Sequence, residues 1–196
     1  MSTVADSTLS RLMAAFRSAT IASRPGFVPP LELLRQVTQA QATGLWRLDP
    51  APGEPSLSPE AAVLTLVGFA AIDSMPLEVQ HGFCRATQSV PLSAGQFGIV
   101  QAVQRQATAV NLMAGSDSAP DSSPLWVRKF GARQSLACPI WGQRGIIGAV
   151  AVATPIEHAA DSELQRRVEA LAVDLGPVLD QTAGFRQAVF EPRQEA

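Results

Sequence analysis

Residues 134–153 are the part of this chain with the least folding freedom. Two apolar runs, 134–141 and 146–153, are separated only by Gly142-Gln143-Arg144-Gly145. Strand-length runs around a short glycine-flanked segment form a β-hairpin, because glycine reaches positive φ without a Cβ clash. Gly148 lies opposite the turn-proximal part of the first run. Its missing side chain is expected to let a helix approach the sheet closely.

The rest of the chain divides around that hairpin. Residues 6–23 place Leu9, Leu12, Met13 and Phe16 on one helical stripe, with Asp6 or Ser7 as N-cap, and Arg24-Pro25-Gly26 breaks the pattern. Pro29-Pro30 suits the first turn of a second helix whose Leu31, Leu34 and Val37 face inward. Residues 44–49 alternate as a strand. Residues 50–59, with four prolines and a glycine, form an extended loop. Residues 61–70 are almost continuously apolar, the mark of a central strand. Residues 73–80 fit neither period, and 82–90 read as a third strand. A turn at 92–95 feeds a helix over 96–106 with Ile99, Val100 and Val103 on its buried stripe. A short strand (108–112), a polar loop (114–124) and a short helix (125–130) follow. The last helix spans 163–179, capped by Asp161 or Ser162.

Helices at both ends and antiparallel strands between them predict an α+β fold, a central antiparallel sheet flanked by N- and C-terminal helices. Hydrophobic residues make up 46% of the 196 and charged residues 16%, enough apolar surface for one buried core and too much for a disordered chain. The formal net charge of -2 argues against a nucleic-acid partner. No apolar run reaches the ~20 residues of a membrane span and no secretory leader is visible, so no membrane partner and a cytoplasmic location are expected. Cys84 and Cys138 are the only cysteines, too few for a disulfide scaffold or a four-ligand zinc site.

Two stretches resemble the GAF domain family. One is Leu92-x-x-Gly95-x-x-Gly98, a helix, then Ala109-Val110-Asn111-Leu112. The other is Phe130-Gly131-x-x-Gln134-Ser135-Leu136-Ala137-Cys138-Pro139-Ile140, followed by Gly145-Ile146-Ile147-Gly148-Ala149-Val150-Ala151-Val152. The resemblance implies a single GAF-like domain over 27–180, preceded by a helical flank (1–26) and followed by a tail (181–196). It implies a ligand pocket between one sheet face and the loops and short helices beside it. The implied wall residues are Phe83, Phe97, Leu112, Trp126, Phe130, Ser135 and Cys138, with Asn111, Asp117, Asp121 and Ser135 as polar groups that orient a ligand.

The sharper family chemistries find little support. The Asn-Lys-Phe-Asp-Glu signature of cyclic-nucleotide binders is absent, since Lys129 is the one lysine. His81-Gly82-Phe83-Cys84 places a histidine before a thiol but lacks the flanking signature of bilin photoreceptors. Members that reduce free methionine sulfoxide need several cysteines around the pocket, and loop 114–124 has none. Gly-x-Ser-x-Gly is missing, and His81 and His158 are far apart. No catalytic residue, metal ligand or cofactor is therefore assigned.

The last helix repeats Leu164, Val168, Leu171, Leu175 and Val178 at the spacing of a helical seam, with Gly176-Pro177 working against a long coiled coil. Terminal helices of sensory GAF proteins pair across a twofold axis. Leu9, Phe16, Leu164 and Leu171 are accordingly expected at a homodimer interface. The leading expectation is a stand-alone sensory or regulatory module that binds a small molecule or an unknown protein partner and signals in trans. A thiol-dependent reductase using Cys84 and Cys138, and a structural adaptor with a filled pocket, are the alternatives.

Overall fold

The computed structural model describes residues 3–21, 26–49, 62–112 and 123–181. Helices α1 (Thr3–Ile21) and α2 (Val28–Thr38) precede strands β1 (Ala42–Asp49) and β2 (Val63–Ala71). After them come α3 (Leu77–Thr87), β3 (Ser89–Pro91), α4 (Gly98–Arg105), β4 (Ala109–Leu112) and α5 (Ser123–Lys129). The hairpin β5 (Gln134–Gly142) and β6 (Gly145–Thr154) and the long α6 (Glu163–Asp180) complete the chain. The strands make one six-stranded sheet in the order β3-β2-β1-β6-β5-β4. Every pairing is antiparallel.

The α+β architecture matches the expectation. Within the hairpin, Gly142 pairs with Gly145, and Gly145 takes the positive φ (143°) that the turn requires. Pro29 and Pro30 occupy the first turn of α2. Ser162 caps α6 by accepting a hydrogen bond from the Gln165 N–H. The extended loop expected at 50–59 lies outside the described residues.

Three expectations give way. Residues 82–90 are not a strand. Helix α3 runs through Thr87, opened by Pro76 and held by Phe83 and Thr87, a buried pair one turn apart. Only Ser89–Pro91 is left to pair with β2. Strand β2 is not central but one place from the edge. It is apolar because both its faces are covered: Leu64 and Phe69 pack on one side and Val67 and Ala70 on the other. Gly148 makes room for a strand rather than a helix, since a Cβ there would strike the backbone carbonyl of Trp46 on β1.

The close helix–sheet contact is at Gly176. A Cβ on that residue would strike the carbonyl oxygen of Trp141, so α6 crosses β5 at backbone distance. Pro177 does not end α6, which continues to Asp180. The proline deletes the helical bond to the carbonyl of Val173, and both residues are exposed, so water can serve that carbonyl.

The sheet separates two apolar layers. Helices α1, α2 and α6 cover one face, with Phe16, Leu31, Leu45, Ile140, Val150, Leu171 and Leu175 packed between. Helices α3, α4 and α5 cover the other, over Trp46, Leu64, Phe83, Val100, Trp126 and Ile146. Among the described residues no helix is long and apolar enough to cross a membrane.

Helix propensity favours alanine over glycine by about 1 kcal/mol, so Gly176→Ala would ordinarily stabilise an exposed helix. Here the added methyl meets the Trp141 carbonyl, and we expect a net loss of about 1–3 kcal/mol in urea unfolding. Val173→Ala, on the exposed side of the same helix, should stay within about 0.5 kcal/mol of the parent.

Candidate functional site

The layer beneath α3, α4 and α5 does not close completely. A cavity of about 50 Å³ remains over the middle of the sheet. Its floor is made of small residues, Ala42 and Gly44 on β1, Ala137 on β5, and Ala151 and Ala153 on β6. Strand alternation puts them there. On β5, Ser135 and Ala137 face the cavity, while Leu136, Cys138 and Ile140 face the α6 layer.

Aromatic rings build the walls. Phe83 is the hub, with its centroid 4.9 Å from both Phe69 and Phe130 and 5.4 Å from Trp126. Trp46 meets Phe83 edge-on at 6.1 Å, a favoured geometry for ring quadrupoles. Its indole N–H donates to the carbonyl of Thr87 (3.2 Å). The benzo end of that ring occupies the space beside Gly44, where a Cβ would come within 2.7 Å of Trp46 Cζ3. Gly82 on α3 likewise leaves space for the edge of Trp126.

The polar groups gather at the start of α4. The Gly98 N–H donates to Ser123 Oγ (2.7 Å). The Asn111 amide rests against Gly98, at the position a Cβ would need. Two buried donors, Asn111 Nδ2 and Trp126 Nε1, have no hydrogen-bond partner. A buried donor without an acceptor costs about 1–3 kcal/mol. Outside the cavity, Lys129 Nζ stands 4.2 Å from the centroid of the Trp126 ring, a cation–π contact. None of the described residues lining the cavity is charged.

Of the wall and polar residues expected from the sequence, Phe83, Phe97, Trp126, Phe130 and Ser135 line the cavity. Asn111 stands directly behind Gly98. Asp117 and Asp121 lie outside the described residues. Cys138 and Leu112 do not belong to this set. Cys138 faces the opposite layer by the β5 alternation. Leu112 pairs across from Gln134 on the outer side of edge strand β4 and is 48% exposed. Trp46, Phe69, Gly98 and Ser123 also line it and were not foreseen. The alternation of 44–49 carried a signal for Trp46. Ser123 is placed only by the tertiary fold.

The four residues expected at a dimer interface separate by depth. Phe16 and Leu171 are 0% and 1% exposed within a single chain and pack in its own core, Phe16 off the open groove and Leu171 at its base. Leu9 and Leu164 are half-buried and line an open groove of about 790 Å³ between α1, α2 and α6.

The thiols are kept apart. Cys84 sits on α3 and Cys138 on the far face of β5, both unpaired. Burial pushes both thiols up from their ordinary range. Thr108 donates its single hydroxyl proton to Glu169 (2.6 Å), so at 3.4 Å the Cys138 S–H is left to donate to Thr108. Among the described residues no group of His, Cys, Asp and Glu could hold a metal ion.

The Cys138 thiol ionises in the folded protein only at about 11, against an ordinary 9.0. Between those values the unfolded chain has released its proton and the folded chain has not. Stability is therefore full below about pH 9 and falls as pH rises toward 11. The loss is on the order of 2–3 kcal/mol, from about 1.4 kcal/mol per pH unit. Urea titrations from pH 8 to 11 should show that decline in the parent, and a shallower one in Cys138→Val.

The model of the GAF domain family matches residues 30–178. A search of curated proteins finds no match. The fold is similar to the GAF domain of an Acinetobacter phosphoenolpyruvate-protein phosphotransferase (TM-score 0.60, 12% identity, 94% of this chain and 98% of that one). It is similar to free methionine-R-sulfoxide reductase from Neisseria meningitidis in complex with its substrate (0.58, 16%, 92% and 90%). It is also similar to the blue-light absorbing form of the PixJ GAF domain from Thermosynechococcus elongatus (0.53, 14%, 92% and 92%). At these identities the structural likeness speaks for the fold, while the family match covers most of the sequence, and the chain belongs to the GAF domain family.

Proposed function

We propose that this chain is a regulatory GAF module that takes up a small molecule in the aromatic cavity and passes its occupancy to another protein surface. The observation that carries this reading is the cavity itself, with two buried donors beside it that nothing in the chain satisfies. Close-packed interiors rarely leave donors unmet, and a ligand that supplies acceptors removes the penalty. Among the structural neighbours, the Neisseria reductase holds its substrate and a cyanobacterial phytochrome GAF domain holds phycoerythrobilin. Thiol chemistry has less to support it here, because Cys84 and Cys138 sit in different layers and burial holds both in the protonated, unreactive form.

The second reading, a structural adaptor whose pocket is occupied by its own rings, is favoured by the modest volume of about 50 Å³. Native mass spectrometry separates the two. The regulatory reading expects a retained small molecule on the purified parent, absent from Ala137→Leu, which fills the cavity floor. Bare protein in both, with no ligand found in a metabolite screen, favours the adaptor.

The proposed output surface is the α1–α2–α6 groove, and its proposed occupant is a second copy of the chain. The groove is lined by Leu9, Leu12, Leu34 and Leu164, with Glu163, Arg166 and Arg167 also along it. Leu9→Glu with Leu164→Glu should convert dimer to monomer in sedimentation while the fold is retained, since both side chains are half-buried. A parent that is already monomeric at micromolar concentration would refute the dimer.

A further inference from the structure

The donor set and the size of the cavity together restrict what can occupy it, and we infer that the occupant is a short-chain monocarboxylate. This rests on the reading of the cavity as a ligand site and narrows it to one chemical class.

The polar side of the site offers donors. Trp126 is 4% exposed, lines the cavity and holds an indole N–H without an acceptor. Asn111 Nδ2 is buried against Gly98 and also lacks one. Ser123 Oγ accepts from the Gly98 N–H, which leaves its own hydroxyl proton to give. No acidic side chain among the described residues lines the space. The electrostatics have the same sign. Gly98 and Ile99 on the wall are the first residues of α4, whose N-terminus carries the positive end of the helix dipole, with the Gly98 N–H already given to Ser123 Oγ. Lys129 adds a full positive charge on the other side of the Trp126 ring. Donors, a helix N-terminus and a nearby ammonium favour an anionic oxygen pair over a neutral carbonyl.

The apolar side sets the length of the rest. At about 50 Å³ the space is far below the roughly 300–1,000 Å³ of pockets for drug-sized ligands, so it has room for only a few heavy atoms. Acetate and propionate fit that space, and butyrate is near its limit. The floor of Ala137 and Ala151 beneath the rings of Phe83 and Phe130 suits an alkyl tail. A nucleotide or a tetrapyrrole exceeds it several-fold, as pockets for such ligands run to hundreds of Å³.

The test titrates the full chain with sodium acetate, propionate and butyrate at fixed ionic strength, by calorimetry. Octanoate and propionamide serve as comparators for length and charge. The expected result is saturable binding of propionate, with Kd between about 1 μM and 1 mM for so small a ligand. Octanoate and propionamide should each bind at least tenfold more weakly. Trp126→Phe keeps the ring and removes the N–H, and Asn111→Leu keeps the volume and removes the amide. Each should weaken propionate by about tenfold, the loss of one hydrogen bond to a charged group. Their melting temperatures report separately whether they fold. Absence of binding by all three carboxylates, equal binding of propionamide, or parent-like binding by both variants would overturn the inference. A different retained molecule in native mass spectra would then leave the cavity reading standing and remove only the ligand class. Bare spectra would remove both.

Discussion

The pairing of β1 with β6 holds this molecule together. Every other strand pair joins neighbours in chain order, whereas this one brings Ala42 opposite Ala153 and Arg47 opposite Gly148, across roughly a hundred residues. Closing so long a loop carries an entropic cost, and neither half has a complete core without the contact. The seam is lined by small residues. Gly148 lets the Trp46 carbonyl pass, and Ala42, Gly44, Ala151 and Ala153 leave both strands low on the α4 side. That low ground is the floor of the cavity. The chain's most distant contact and its candidate site are therefore one feature, and anything seated in the cavity bridges the two halves of the sheet.

The two layers are built differently. On the α1–α2–α6 side, leucine, isoleucine and valine fill the space and Gly176 brings a helix down to the backbone of β5. On the other side, bulky rings span from short helices to a floor of alanines and cannot interdigitate as densely. One layer is closely filled and supports the sheet, and the other keeps the cavity. The thiol of Cys138, locked through Thr108 to Glu169, belongs to the support.

Local patterns made much of the fold legible. The Gly142–Gly145 turn, the Pro29-Pro30 start and the Ser162 cap each rest on a few adjacent residues, and each appears where the sequence puts it. Residues 82–90 misled because Phe83 and Thr87 bury at a spacing of four within too short a stretch for the period to be decisive. The site was legible in part. Phe83, Trp126 and Phe130 followed from the family resemblance, but Cys138 and Leu112 required the facing of β5 and β4, which a one-residue slip reverses. Trp46 and Phe69 reach the site from strands that meet Phe83 only in the folded state.

The stacking of Lys129 on Trp126 has a practical consequence. The other basic side chains are arginines and two histidines, so apart from the chain's α-amino group the protein carries a single acylable amine. Reagents that modify lysine, which scatter labels over most proteins, would mark one exposed position against the outer face of a cavity-lining indole. Acylation there removes the charge and shifts the tryptophan's surroundings together. A fluorophore placed on that amine would make the indole its nearest quencher, and the protein would carry a built-in optical gauge of what happens behind the ring.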